Sequence, residues 1–236
     1  MLSITPIYLK TPKGYWLERK CDMSQSVFFR TKDGITCLAD TKRTILKGEE
    51  DKSLLHKVRY TKNTIFISLG YANFNEYIMY VLSNPNFSLL ENLQHLEFQL
   101  KEIIPEEKIK YNHSEAIGLQ VYIFQYENEQ IIPYYLQAID TNIDICYGNE
   151  FSKRFTGFYG LELYCLELPK YLKNFTFPEN TKKAIEEGHK IIQTAIELDK
   201  KNNNKFVDAP IEWVIMDNNG NIKCSNPECE FIPTSY

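Results

Sequence analysis

The hydrophobic pattern divides the chain into strand-like runs, then helices, then strands again. Val27-Phe28-Phe29 and Ile35 to Ala39 are β-prone runs separated by Lys32-Asp33-Gly34. Asp-Gly between such runs predicts a hairpin, because Gly accepts the positive φ of a tight primed turn. Thr64 to Leu69 is a continuous β-prone run ending at Gly70. From Tyr71 to Leu82 the apolar positions 74, 77, 78, 81 and 82 step by three and four, which predicts an amphipathic helix. Leu89, Leu93, Leu96, Leu100 and Ile103 form the stripe of a second helix, from Ser88 to just before Pro105. His95 falls inside it, as a surface or partly buried side chain.

Strand signals return at residue 117. Ile117 to Gln125, Ile131 to Ile139 and Ile143 to Cys146 predict an antiparallel meander, with Pro133 marking an edge or a bulge. Leu161 to Leu172 reads as a helix interrupted by Pro169. Thr181 to Lys200 is the clearest helix, with Ala184, Gly188, Ile191, Ile192, Ala195 and Ile196 on one 3.6-period face. Ile211 to Met216 and Ile222 to Cys224 predict a last hairpin across Asp217-Asn218-Asn219-Gly220. Residues 44–56 are mostly polar and charged, with Lys47 to Lys52 as an exposed turn.

At 236 residues the chain can bury a large core in one domain. Hydrophobic residues at 43% and charged residues at 25% indicate a globular chain. A net charge of −4 argues against nucleic-acid binding. No apolar run reaches the ~18 residues of a membrane span. The six cysteines (21, 37, 146, 165, 224 and 229) show no metal-ligand pairing, and Cys224 and Cys229 lack a second Cys/His pair nearby. Free thiols in a chain without a signal peptide lead us to expect a cytoplasmic protein. No cofactor and no metal are expected.

Ser24 to Arg43 gives this pattern a chemical meaning. The second strand run ends in Asp40, Lys42 and Arg43. Taken alone, this is an ordinary hairpin with a solvated end. It also resembles the opening of a proteasome-type subunit of the N-terminal-nucleophile hydrolase superfamily. There a nucleophile is followed by a strand, a Lys-Asp-Gly turn and a strand ending in Ala-Asp-x-Arg. The resemblance places Ser24 at the terminal nucleophile and Asp40 on the family's Asp; Arg43 stands one residue too far along. Lys57 falls on or beside the catalytic Lys, and Asp199 matches an Asp after the long helix. The chain departs from the family at further points, among them two glycines that are missing after Asn202. Thr156 to Gly160 lacks the Ser of the Gly-rich turn, Asn202 stands for a hydroxyl residue, and Met23 stands where Gly usually precedes the nucleophile.

The resemblance implies an α+β fold, a four-layer αββα sandwich of two antiparallel sheets flanked by helices, over a single domain from 24 to 236. Residues 1–23 would be an N-terminal extension or pro-segment; read from the residues alone they are a hairpin turning at Pro12-Lys13-Gly14. The implied catalytic set is Ser24, Asp40, Lys57 and Asp199, with backbone N–H groups near Gly70 cradling an oxyanion. Three functions remain open. The first is an unprocessed structural or regulatory subunit, assembled with copies of itself or with other proteasome-like subunits. The second is an active Ser-dependent peptidase or amidase acting on peptide or protein. The third is an unrelated α+β binding domain.

Overall fold

A computed structural model describes residues 25–44, 50–114, 116–154, 161–162, 177–201 and 207–232. Its first sheet has the order β10-β1-β2-β11-β12 and all its pairings are antiparallel. These strands are β1 (Ser26–Thr31), β2 (Gly34–Asp40), β10 (Leu161–Glu162), β11 (Ile211–Asp217) and β12 (Ile222–Cys224). The second sheet is an antiparallel meander of β5 (Val58–Thr61), β6 (Thr64–Gly70), β7 (Gly118–Glu127), β8 (Gln130–Ile139) and β9 (Asn142–Tyr147). Among the described residues the α-helices are α1 (Asn75–Leu82), α2 (Leu89–Lys110), α3 (Gly148–Arg154) and α4 (Thr181–Lys201).

Side-chain alternation explains why β1 and β2 carry apolar side chains on both faces and are buried along nearly their whole length. Phe28, Ile35 and Cys37 face the second sheet and pack with Ile65, Ile67, Tyr122, Phe124 and Tyr135. Val27, Phe29 and Leu38 point the other way, onto Ala184, Ile191, Ile192, Ala195 and Ile196 of α4. A strand covered on both faces has no position for a polar alternation. Each such aromatic or aliphatic side chain contributes about 1.5–3 kcal/mol through burial. Gly188 lets α4 come close, since a Cβ there would stand 2.4 Å from Leu38 Cδ1. The far face of the second sheet carries Leu119, Val121, Ile123 and Leu136, which meet Ile78, Leu82, Leu93, Leu96 and Leu100 of α1 and α2.

Several local expectations change. The first hairpin turns on Lys32-Asp33, with Thr31 opposite Gly34, and neither turn residue has the positive φ of a primed turn. Gly34 is required for a different reason: at φ +151 a Cβ would meet the Met216 carbonyl at 2.1 Å. The turn expected at Lys47 to Lys52 is not a turn throughout, because Glu50 to Lys52 belong to β4 (Glu50–Leu54), which pairs with β3 (Lys42–Thr44) in a small separate sheet. Backbone pairing needs no apolar signature, so the hydrophobic pattern could not show it.

Helix α2 continues through Pro105 to Lys110. Its start is fixed by a capping box, in which Glu91 N–H donates to Ser88 Oγ and Ser88 N–H donates to Glu91 Oε2. Tertiary contacts hold its far end: Lys108 Nζ lies 3.1 Å from Asp140 Oδ1, and the Tyr71 hydroxyl donates to Glu107. They offset the one backbone bond that Pro105 removes. Pro133 sits where β8 is still an edge, because β9 pairs with β8 only from Tyr134 onward. Leu161 and Glu162 are not helical; they form β10, which covers the free edge of β1. The rest of the Leu161 to Leu172 segment and residues 1–23 lie outside the described residues.

Candidate functional site

Asp40 ends β2 and is completely buried. Lys57 stands one residue before β5 and is 2% exposed. Its Nζ donates to Asp40 Oδ2 at 2.7 Å. The backbone N–H of Gln25 donates to Asp40 Oδ1 at 2.8 Å, and the Asp40 N–H donates to the Gln25 carbonyl at 3.1 Å. Both carboxylate oxygens therefore have partners. A buried carboxylate and ammonium require such pairing, since an unpaired charge in this environment is strongly unfavourable. The surrounding backbone fixes the geometry. Ser68 N–H donates to the Lys57 carbonyl at 2.9 Å, and Thr41 Oγ1 donates to the Pro210 carbonyl at 2.9 Å.

The fold thus brings Asp40 and Lys57 into direct contact. Gln25, the residue after Ser24 in sequence, is bonded to the same carboxylate. Ser24, Met23, Thr156 to Gly160 and Asn202 lie outside the described residues. Arg43 lies in β3. Asp199 is buried near the end of α4, where its Oδ2 accepts from the Val207 N–H at 3.0 Å. That bond ties the helix end to the segment that leads into β11. Gly70 has φ +101 and meets the Gly118 backbone closely, so that a Cβ would lie 2.1 Å from the Gly118 carbonyl. The Tyr71 N–H donates to that same carbonyl at 3.1 Å. The glycine here serves strand approach, and the adjacent N–H is committed to the sheet.

A second polar cluster lies beside the pair, and sequence reasoning missed it. His56 Nδ1 is 2.9 Å from Glu212 Oε1, and Asn226 Nδ2 donates to that oxygen at 2.8 Å. Cys229 is fully buried against Glu212. Burial pushes its thiol well up, and the Glu212 carboxylate adds to the shift. Glu212 stands opposite Ala39 in the β11–β2 register, and His56 precedes Lys57, so the cluster is one residue from the Asp40–Lys57 pair on both sides. Its members are up to 173 positions apart in sequence (229 − 56 = 173), and only Cys224-x4-Cys229 hinted at it.

No family model and no curated protein matches the sequence. Solved structures do. Anbu (ancestral beta-subunit) from Yersinia bercovieri superposes with a TM-score of 0.57 at 10% identity, covering 86% of this chain and 87% of that one. Anbu from Hyphomicrobium sp. strain MC1 gives 0.54 at 12% identity, with 85% of each chain covered, and an Anbu mutant from the same strain gives the same values. The resemblance drawn from the sequence is corrected accordingly. These three solved structures are of Anbu, described for one of them as an ancestral beta-subunit, and at these identities the likeness is one of fold. Among the described residues the chain is α+β, with two five-stranded antiparallel sheets and a small two-stranded one, and it shares its fold with these Anbu chains.

Proposed function

We propose that this chain is an unprocessed proteasome-like subunit of Ntn-hydrolase fold, acting in a structural or regulatory role within an assembly. The three packing clusters support a four-layer αββα reading of one domain from 24 to 236: α4 on the first sheet, sheet on sheet, and α1 with α2 on the second. The similarity to an ancestral beta-subunit supports assembly with copies of itself or with related subunits. The observation that carries the reading is the buried pair. Lys57 donates to Asp40, and the Gln25 backbone is held on the same carboxylate.

In the full-length chain Ser24 has an amide nitrogen, which cannot accept a proton. Lys57, as a donor already engaged by Asp40, does not replace it as a base. The departures at Met23, Thr156 to Gly160 and Asn202 agree with a site that does not process itself.

The same pair favours one second reading. If the chain is cut before Ser24, the new amine has an ordinary pKa of about 8 and suits general-base work. Ser24 Oγ then attacks a peptide or amide carbonyl and its proton passes to that amine. Asp40 and Lys57 orient and polarise the reacting groups, and Asp199 holds the Val207 N–H ahead of β11. Intact mass of the purified protein separates the two. A mass retaining residues 1–23 supports the structural or regulatory subunit, and a mass starting at Ser24 supports the peptidase.

A further inference from the structure

The cluster of His56, Glu212 and Cys229 stands outside the Asp40–Lys57 pair and has no part in the chemistry above. One ligand atom from each lies within 4.8 Å of the others, and Glu212 and Cys229 are both buried. We propose that these three side chains bind one divalent transition-metal ion of the zinc type.

The donor set suits such an ion. An imidazole nitrogen, a carboxylate oxygen and a sulfur are the three ligand classes that Zn²⁺ takes, at about 2.0–2.3 Å. Tetrahedral bonds of that length separate ligands by roughly 3.3–3.8 Å, so the site closes with side-chain shifts of about an ångström. Three protein ligands leave the fourth position to water. On binding, the Cys229 S–H bond breaks, its proton passes to solvent, and the thiolate sulfur donates to the metal.

The surroundings orient the ligands. Asn226 Nδ2 donates to Glu212 Oε1 at 2.8 Å and fixes the carboxylate. Glu228 Oε2 lies 3.5 Å from His56 Nε2, on the ring nitrogen away from Glu212. A carboxylate on the outer nitrogen is the usual support of a metal-ligating histidine. That placement also separates this cluster from a cysteine-protease arrangement. There the thiol would face the imidazole nitrogen opposite the carboxylate. Here Cys229 Sγ lies within 4.8 Å of a Glu212 carboxylate oxygen, Nε2 faces Glu228, and the thiol is closed to substrate.

Each ligand comes from a different element. Glu212 is on β11 of the first sheet, His56 leads into β5 of the second, and Cys229 ends a short 3₁₀ turn, Pro227–Cys229. Beyond that turn, Phe231 N–H donates to the Tyr60 carbonyl at 2.8 Å. The ion would therefore join both sheets to the C-terminal segment.

The test uses full-length protein stripped with chelator and then titrated with Co²⁺ or Zn²⁺ alone. We expect one ion per chain by elemental analysis, a thiolate-to-cobalt charge-transfer band, and a rise in Tm with zinc. Cys229→Ser abolishes the band and weakens zinc binding at least ~100-fold, whereas Asn226→Ala weakens it about 10–100-fold. Cys146→Ala, at a buried thiol outside the cluster, keeps both the band and the stoichiometry. If Cys229→Ser does not fold, Glu212→Gln takes its place. A folded wild-type chain that binds neither ion, or a cobalt band that persists in Cys229→Ser, overturns the proposal. No readout depends on hydrolytic activity, so the metal site and the proposed function fail separately.

Discussion

Lys57 Nζ donates to Asp40 Oδ2 at 2.7 Å with both side chains almost fully excluded from water. Each residue is thereby a condition for the other. Lys57→Met removes the ammonium from the buried Asp40 carboxylate, and Asp40→Leu removes the carboxylate from the buried ammonium. Breaking a buried pair in this way costs about 3–5 kcal/mol. The double substitution should be much less harmful than the sum of the two singles, because neither charge is stranded. Urea unfolding of the four proteins measures this. Additive losses would show that the two groups do not depend on each other.

A second prediction concerns the face where α4 meets β2. Gly188 has no room for a side chain, since its Cβ would stand 2.4 Å from Leu38 Cδ1 and 3.1 Å from Leu38 Cγ. Gly188→Val should destabilise the fold by about 1–3 kcal/mol through overpacking, despite the entropy gained by removing a helical glycine. Glu186→Ala on the exposed side of the same helix should stay within ~0.5 kcal/mol. Thermal unfolding of both variants checks the difference, and equal effects would contradict the packing described.

A third prediction concerns pH. Burial lowers the pKa of His189 below its ordinary value of 6.5. The unfolded chain therefore takes up this proton at a higher pH than the folded chain. The contribution is fully present above pH ~6.5 and is lost as pH falls from there through the folded pKa. Tm measured between pH 7 and 5 should fall less steeply in His189→Gln than in the wild type. Parallel curves would show that His189 does not contribute.

Legibility in the sequence followed the range of the interactions. The β1–β2 hairpin and the β7–β8–β9 meander were readable because apolar runs and turn residues are local signals. The α4 face was readable because Ala184 through Ile196 repeat at the helical period. The β3–β4 pair was not readable, since its residues are polar and only backbone bonds define it. The end of α2 was misplaced because Pro105 is a strong local signal, whereas Lys108–Asp140 and Tyr71–Glu107 act over 32 and 36 residues. Asp40 and Lys57 were legible only through a family resemblance. The approach of His56, Glu212 and Cys229 had no sequence signature beyond two nearby cysteines, because it depends on both sheets being in place.

With residues 1–23 attached, Ser24 carries an amide nitrogen where an N-terminal nucleophile would offer an amine base. This is tested most directly by assaying peptide hydrolysis in three proteins: the full-length chain, a chain beginning at Ser24, and its Ser24→Ala counterpart. The account predicts little or no hydrolysis by the full-length chain, a gain on exposing Ser24, and loss of that gain in Ser24→Ala. Strong hydrolysis by the full-length chain that persists when Ser24 is replaced by Ala within it would contradict the account and place the catalytic groups elsewhere.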